Sequence, residues 1–326
     1  MTLKELAKIA GVSISTVSKA LNDSSEIGER TKARISELAE LYNYQPNTVA
    51  VTLKTGKTKT IGVVVPSIQN NFFARVIMGI ESVLNAAGYN IIISITNEEH
   101  QKEAQILKTL SNGVIDGFIV ALAEETQVKQ EITHLQKAEK SGKPIVLFDR
   151  TVAGLDYDKI LVDDKTVVFN LTQHFQNCGR SAIALVSSIH RLSVGKSRKA
   201  GYLQSIEGKQ EPIVVEADAE DLEEQLRGVL KKHKVDAIMA LDEDASLESL
   251  KVANAMQIDI PNDLQIIGFA PEKIAKNVSP RLSTVNQHGI DIGNAAAQRL
   301  IDRLNQNSVS SKQIVINSTI DHRETS

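Results

Sequence analysis

The sequence predicts an α/β protein in which a three-helix helix-turn-helix head precedes two doubly wound lobes, each a parallel sheet covered by helices. Three observations carry this. Residues 1–46 show helical apolar spacing with turn and cap signals, and from residue 61 onward short apolar runs alternate with amphipathic segments. Those runs are continuous rather than alternating, as strands buried on both faces require. Their repetition over about 220 residues exceeds one open sheet of ordinary size, so two lobes are expected, with a ligand cleft between them.

In the head, Thr2 and Glu5 form a capping-box pattern, and Leu6, Ile9 and Ala10 give the inward stripe of a first helix. Gly11 permits a tight turn and Ser13 is a good N-cap for a second helix that ends near Leu21. A third helix from about Glu29 turns Ile35, Leu38, Ala39 and Tyr42 inward and stops before Pro46. Residues 47–59 are a hinge and linker. Two helical turns fit residues 47–53, but so short a helix orders only when something holds it. In the body, residues 60–326, strands are expected at 61–65, 91–95, 117–121, 145–148, 160–162, 182–186, 213–215, 237–241, 266–269 and 314–316. Helices are expected at 72–87, 104–112, 167–177, 199–206, 223–232, 247–256 and 292–304.

The 326 residues are 42% hydrophobic and 24% charged, with no apolar run near the length of a membrane span. Residues 2–10 include two lysines and a glutamate, so no signal-peptide core stands there, and a cytoplasmic protein is expected. The single cysteine, Cys178, excludes an intrachain disulfide framework and a cysteine-clustered zinc site. Charge is unevenly spread. Residues 1–60 hold nine Lys and Arg against six Asp and Glu, a balance of +3, which leaves −6 for the rest of a chain whose total is −3. A basic head on an acidic body suits a polyanionic partner for the head alone.

Several motifs are excluded on inspection. "GKT" at residues 56–58 lacks the first glycine of a phosphate loop, because Val51 stands there. "GVSIS" has Ser15 where a nucleophile elbow needs its second glycine, and no strand precedes it. The acidic residues 242–244 lack the alternation and central glycine of a calcium loop, and the seven histidines show no metal-ligand spacing. No metal, cofactor or catalytic pair is expected.

The segment "GVSISTVSKALN" is more informative. Its second helix keeps Val17 and Leu21 on an apolar spacing while Ile14, Ser15 and Lys19 share an exposed face. A small apolar group, a hydroxyl and a cation together suit base edges in a major groove, and Thr16, Ser18 and Asn22 flank them as phosphate donors. A bland helical hairpin would give the same turn but no reason for that mixture.

The chain as a whole resembles the lactose-repressor family of bacterial transcription regulators. The motifs that carry the resemblance run in order from Thr2 to Gly293: "TLKELAKIAGVSISTVSKALN", "YQPN", "TIGVVVPSIQNNFF", "DGFIV", "KPIVLFDR", "RKAGY", "IPNDLQIIGF" and "SPRLSTVNQHGIDIG". The resemblance implies a headpiece, a hinge helix and a core like a type I periplasmic sugar-binding protein, acting as a homodimer on near-palindromic operator DNA. It places base contacts at Ile14, Ser15 and Lys19, hinge contacts at Asn47 and Ala50, and a minor-groove wedge at Leu53. Val51 replaces the arginine usual in the hinge. Family effector positions fall on Phe72, Phe73, Asp149, Arg150, Arg198, Glu243, Asp244 and Ala270; Glu243 replaces the usual asparagine and Ala270 the usual sugar-binding aspartate.

The function expected is a DNA-binding regulator, a repressor of carbohydrate genes, controlled by a sugar, sugar phosphate or sugar acid. The alternative is a binding protein or enzyme that kept the same core. Loss of the aspartate at Ala270 and the cations His190, Arg191, Lys196 and Arg198 lead the sequence reading to favour an anionic effector. Ten residues follow the strand-like segment 314–316, too few for leucine heptads, so a dimer rather than a tetramer is expected.

Overall fold

The computed structural model describes residues 1–44, 56–152, 154–305 and 310–326. Two compact units divide it, residues 1–58 and 59–326.

In the first unit, α1 (Leu3–Ala10) begins at a reciprocal box: Thr2 N donates to Glu5 Oε2 at 2.7 Å and Glu5 N to Thr2 Oγ1 at 3.3 Å. It ends at Gly11, whose φ of 67° lies where a side chain would be strained. Ser13 then caps α2 (Ile14–Leu21), its hydroxyl accepting from Thr16 N at 3.1 Å. With α3 (Glu29–Leu41), these helices close over Leu6, Ala7, Ala10, Val17, Ala20, Ile35 and Ala39. Two inward assignments need correction. Ile9 is 41% exposed and Ala7 takes its place, because the inward stripe of α1 runs through residues 3, 6, 7 and 10 at the helical repeat. Tyr42 lies one residue past the end of α3 and is 45% exposed, while Tyr44 folds back onto the core.

The second unit opens with β1 (Thr60–Val65), α4 (Asn71–Ala86), β2 (Asn90–Ile95), α5 (His100–Ser111), β3 (Gly117–Val120), α6 (Glu124–Lys129), α7 (Thr133–Lys140), β4 (Ile145–Phe148) and β5 (Asp158–Val162). There follow α8 (Asp164–Asn177), β6 (Ile183–Ser187), α9 (Ser193–Ile206), β7 (Ile213–Glu216), α10 (Leu222–Lys232), β8 (Ala237–Ala240), α11 (Glu243–Ala255), β9 (Gln265–Gly268), α12 (Glu272–Ala275) and β10 (Ser283–Asn286). Finally come α13 (Gly289–Leu304), β11 (Gln313–Ile316) and β12 (Thr319–Asp321). Sheet 1 has the order β11-β5-β4-β3-β1-β2, and sheet 2 the order β12-β10-β9-β8-β6-β7. All pairings are parallel except β10 with β12. The two doubly wound lobes are therefore present.

Each sheet is covered on both faces, which is why its strands are apolar throughout. Sheet 1 is buried by α4 and α13 on one side and by α5 and α7 on the other; sheet 2 lies between α8 with α9 and α10 with α11. The chain crosses between lobes three times, after β5, β10 and β11. At these crossings Asp163 Oδ1 accepts from Ser318 N at 2.9 Å and from Ser318 Oγ at 2.8 Å, and His288 Nε2 lies 3.0 Å from Thr319 Oγ1. The strand reading that ended at 314–316 missed β12, which lies beyond it. Among the described residues no helix is long and apolar enough to cross a membrane.

Candidate functional site

Each unit carries one candidate surface. On the head, Ile14 is 46% exposed and shares the open side of α2 with Ser15, Ser18, Lys19 and Asn22, while Val17 and Ala20 face the core. Thr16 lies towards the other flank, its hydroxyl 2.8 Å from that of Ser13 in the N-cap. Two of the expected contact groups are held within the head: Lys19 pairs with Glu26, and Asn22 Nδ2 donates to Ser18 O at 2.7 Å. Both ties are exposed and weak, so DNA phosphates or bases can replace them. Asn47, Ala50 and Leu53 lie outside the described residues.

In the second unit the cleft lies beyond the carboxyl ends of the strands of both sheets, where doubly wound folds bind ligands. Of the expected effector residues, Phe72, Phe73, Asp149, Arg150, Arg198, Glu243 and Ala270 line it together. His190, Lys196 and Asp244 are not in its wall. On α9 the face that carries Arg198 turns inward, which sends Lys196 to solvent, and Asp244 follows Glu243 round α11 to the exposed side. Residues missed from sequence complete the wall, among them Asn71, Arg75, Asp242, Asn286 and Asp321. The paired asparagines just before the phenylalanines were the available signal for Asn71; Asp321 arrives only through β12.

The electrostatics differ from the cationic site expected. Arg150 Nη1 donates to Glu98 at 2.7 and 2.9 Å, and Arg198 Nε donates to Asp164 Oδ1 at 2.6 Å. Arg191 is drawn to Glu124 and Asp218. The wall holds three arginines, Arg75, Arg150 and Arg198, against five carboxylates, Asp149, Asp242, Glu243, Glu272 and Asp321. Three of the five are engaged already: Asp242 accepts from Ala245 N at 2.9 Å and Ser188 N at 2.8 Å, tying α11 to the end of β6, while Glu272 pairs with Lys276 and Asp321 with Arg323. Burial and the neighbouring carboxylates Asp244 and Asp242 raise the Glu243 carboxyl above its ordinary range.

Asp149, which lines the cleft, has φ 61°, in the left-handed region that few non-glycine residues occupy. Burial pushes its carboxyl up to about 6, against the pull of Arg150. The nearest guanidinium atom, Arg150 Nε, lies 3.7 Å away, beyond hydrogen-bond reach, and is itself buried without a partner. Arg198 stacks 3.8 Å over the Phe269 ring, and Arg150 sits 5.3 Å over Phe73. The arrangement pairs aromatic faces with carboxylate and guanidinium edges, suited to a ligand with both apolar faces and hydroxyl rims.

Known proteins resemble the chain in both of its units. Residues 2–47 match the family described as "Bacterial regulatory proteins, lacI family", and residues 172–326 match a "Periplasmic binding protein-like domain". The chain thus carries a lacI-type head and a periplasmic-binding-protein-like segment. Among its relatives, catabolite control protein A of Priestia megaterium is 28% identical over 335 residues, spanning 99% of this chain and 98% of the relative. The ribose operon repressor of Haemophilus influenzae is 26% identical over 332 residues, with 99% and 98% covered. Among solved structures, the lac repressor dimer bound to operator and the anti-inducer ONPF has a TM-score of 0.88 at 19% identity, covering 100% of this chain and 98% of that one. The transcriptional regulator CelR–cellobiose complex has a TM-score of 0.74 at 20% identity, with both chains covered in full. At such identities the structures establish a common fold. With the lacI-type match in its head and full-length relatives that are regulators, the chain is a DNA-binding transcriptional regulator.

Proposed function

We propose that this regulator represses carbohydrate-catabolism genes as a homodimer on operator DNA, and that an uncharged, hydroxyl-rich effector in the cleft sets its affinity for that DNA. The reading assigns base contacts to Ile14, Ser15 and Lys19, phosphate contacts to Thr16, Ser18 and Asn22, and a minor-groove wedge to Leu53, with Asn47 and Ala50 beside it. Effector contacts are assigned to Phe72, Phe73, Asp149, Arg150, Arg198, Glu243 and Ala270. The names of relatives that control catabolite and ribose genes support the gene class. Exposed apolar side chains on α4 and on the edge strand β2, Met78 at 62% and Ile93 at 43%, supply surface for a second copy.

The observation that carries the effector class is the excess of carboxylates over arginines in the cleft wall: with Arg150 and Arg198 engaged by Glu98 and Asp164, and Glu272 and Asp321 by Lys276 and Arg323, Asp149 and Glu243 stand against Arg75. An added phosphate or carboxylate would meet like charge, whereas hydroxyls can donate to Asp149 and accept from arginine edges. Calorimetry with matched sugars, sugar phosphates and sugar acids, run beside gel shifts on the DNA upstream of neighbouring genes, tests both halves. Tight binding of a charged form with its neutral partner inert would reverse the effector assignment, and absence of any shift at low salt would refute operator binding. In the same gel shifts Lys19→Ala should relax sequence preference by about 1–3 kcal/mol of discrimination. Unchanged preference across a randomised operator library would remove Lys19 from the readers.

Asp149 makes effector binding depend on pH. Its folded-state value of about 6 exceeds the ordinary 3.8, so folding favours the protonated form and the chain loses stability as pH rises between those values. Ionised Asp149 is the stronger acceptor for hydroxyl donors. Effector affinity should therefore rise with pH and level off above about 6. Asp149→Asn should flatten that profile, weaken effector and raise stability at neutral pH; a profile unchanged in this variant would assign the dependence elsewhere.

A further inference from the structure

On the side of sheet 1 covered by α5 and α7, the two helices border a second concavity, a groove of about 430 Å³. Its wall is the electrostatic opposite of the cleft. Lys108 of α5 and Lys137 of α7 line it with no ion pair among the described residues, accompanied by His100, His134, Gln105 and Asn112, and no carboxylate belongs to the wall. The volume falls within the range of small-molecule sites.

Beneath the groove lies Glu103, fully buried, accepting from Ala123 N at 2.6 Å, from Thr126 Oγ1 at 2.8 Å and from His134 Nε2 at 2.7 Å. That last bond fixes a proton on His134 Nε2. Nδ1 of the same ring is buried without any partner, in a residue only 8% exposed. Because the Thr126 hydroxyl donates to Glu103, it accepts from His100 Nδ1 at 3.1 Å, and His100 Nε2 then faces Glu131 Oε2 at 3.1 Å. Both imidazoles are thus held in place, and one orphan nitrogen belongs to a residue of the groove wall. A buried polar atom left unpaired is costly, and a ligand that pairs with it recovers that cost.

We propose that this groove binds the phosphate of a small phosphate monoester, clamped between Lys108 and Lys137, with the P–OH of its monoanion donating to His134 Nδ1. The site is distinct from the effector cleft and does not depend on the effector assignment. It is joined to the cleft by contacts: Glu103 holds Ala123 and Thr126, while the adjoining Leu122 O accepts from Arg150 at 3.2 Å and Gln127 Oε1 accepts from Ser193 N at 3.0 Å. Occupancy of the groove and of the cleft should therefore affect one another, and reciprocally.

The test is calorimetry on the full chain with glycerol 3-phosphate and inorganic phosphate, with glycerol as the uncharged control. The phosphates should bind and glycerol should not. Lys108→Gln with Lys137→Gln should weaken phosphate binding by about tenfold or more with little change in Tm, since both side chains are exposed and without an ion pair among the described residues. His134→Gln, whose amide can still donate to Glu103, should weaken it too. Arg75→Ser in the cleft and Lys196→Glu on the exposed side of α9 should leave it unchanged. Absence of binding, binding that survives the double lysine variant, or an equal loss in Lys196→Glu would each overturn the proposal.

Discussion

Arg198→Ala is expected to lower the stability of this chain by about 3–5 kcal/mol, the cost of leaving a buried partner charge uncompensated. Arg198 is 3% exposed; its Nε donates to Asp164 Oδ1 at 2.6 Å, Nη1 reaches Leu241 O, and the guanidinium lies over Phe269. Asp164 sits in the first turn of α8, where burial already raises its carboxyl and Arg198 is what opposes the rise. Arg198→Lys should not restore stability, because an ammonium cannot reach both partners or stack on the ring. Pairing Arg198→Ala with Asp164→Asn should recover part of the stability but none of the effector binding, which separates the two roles. Urea unfolding measures the first and calorimetry the second. Half-buried Arg227, paired with Glu223 on the same helix, offers the contrast: Arg227→Ala should cost less than about 1 kcal/mol. A similar small loss at Arg198 would mean that water reaches Asp164 freely.

Gly79→Ala and Gly293→Ala should each cost about 3 kcal/mol or more, against the ordinary gain from replacing a helical glycine by alanine. The two glycines meet where α4 and α13 cross. A Cβ on Gly79 would stand 2.2 Å from Ile290 O, and one on Gly293 would stand 2.1 Å from Val76 O. Both obstacles are backbone, so no side-chain rotation relieves them and the helices must separate over the core of sheet 1. Gly228 on α10 has nothing within 4 Å of its Cβ position, and Gly228→Ala should stabilise by about 0.5–1 kcal/mol. If all three substitutions stabilised, the close approach of α4 and α13 would be refuted.

The parts of the fold that were legible were those where one physical requirement dominates a stretch of chain. Strands buried on both faces must be apolar at every position, and runs such as 145–148 and 237–241 announced themselves. Strands β10 and β12 did not, because "STVN" and "TID" satisfy their buried polar groups through partners far along the chain: Thr325 Oγ1 accepts from Ser283 N and donates to Ile266 O. The short polar helix α6 and the weakly apolar α7 likewise offered too little periodicity. In the cleft, aromatic and arginine positions were readable as motifs, whereas the expected cations failed on geometry. Spacing along residues 190–198 put His190, Lys196 and Arg198 together, but His190 lies in the loop before α9, and on α9 a turn of roughly 100° per residue sends Lys196 to solvent while Arg198 points inward. Nor could the sequence show that Arg150 and Arg198 are already neutralised by Glu98 and Asp164, residues many positions away.

The three crossings between lobes also govern how the protein can be made. Neither lobe is a continuous piece of chain: sheet 1 needs β11, and its face needs α13, yet both are synthesised after nearly all of sheet 2. As the chain leaves the ribosome, residues 60–162 can pair their five strands but must wait with Val76 and Ile80 uncovered and the edge of β5 bare. Such an unfinished surface is the kind that chaperones hold and that aggregates without them. Both lobes then reach completion almost together, when α13, β11 and β12 emerge in succession. Evolution by domain shuffling meets the same constraint, since exchanging one lobe with that of another regulator takes three matched junctions in the gene rather than one.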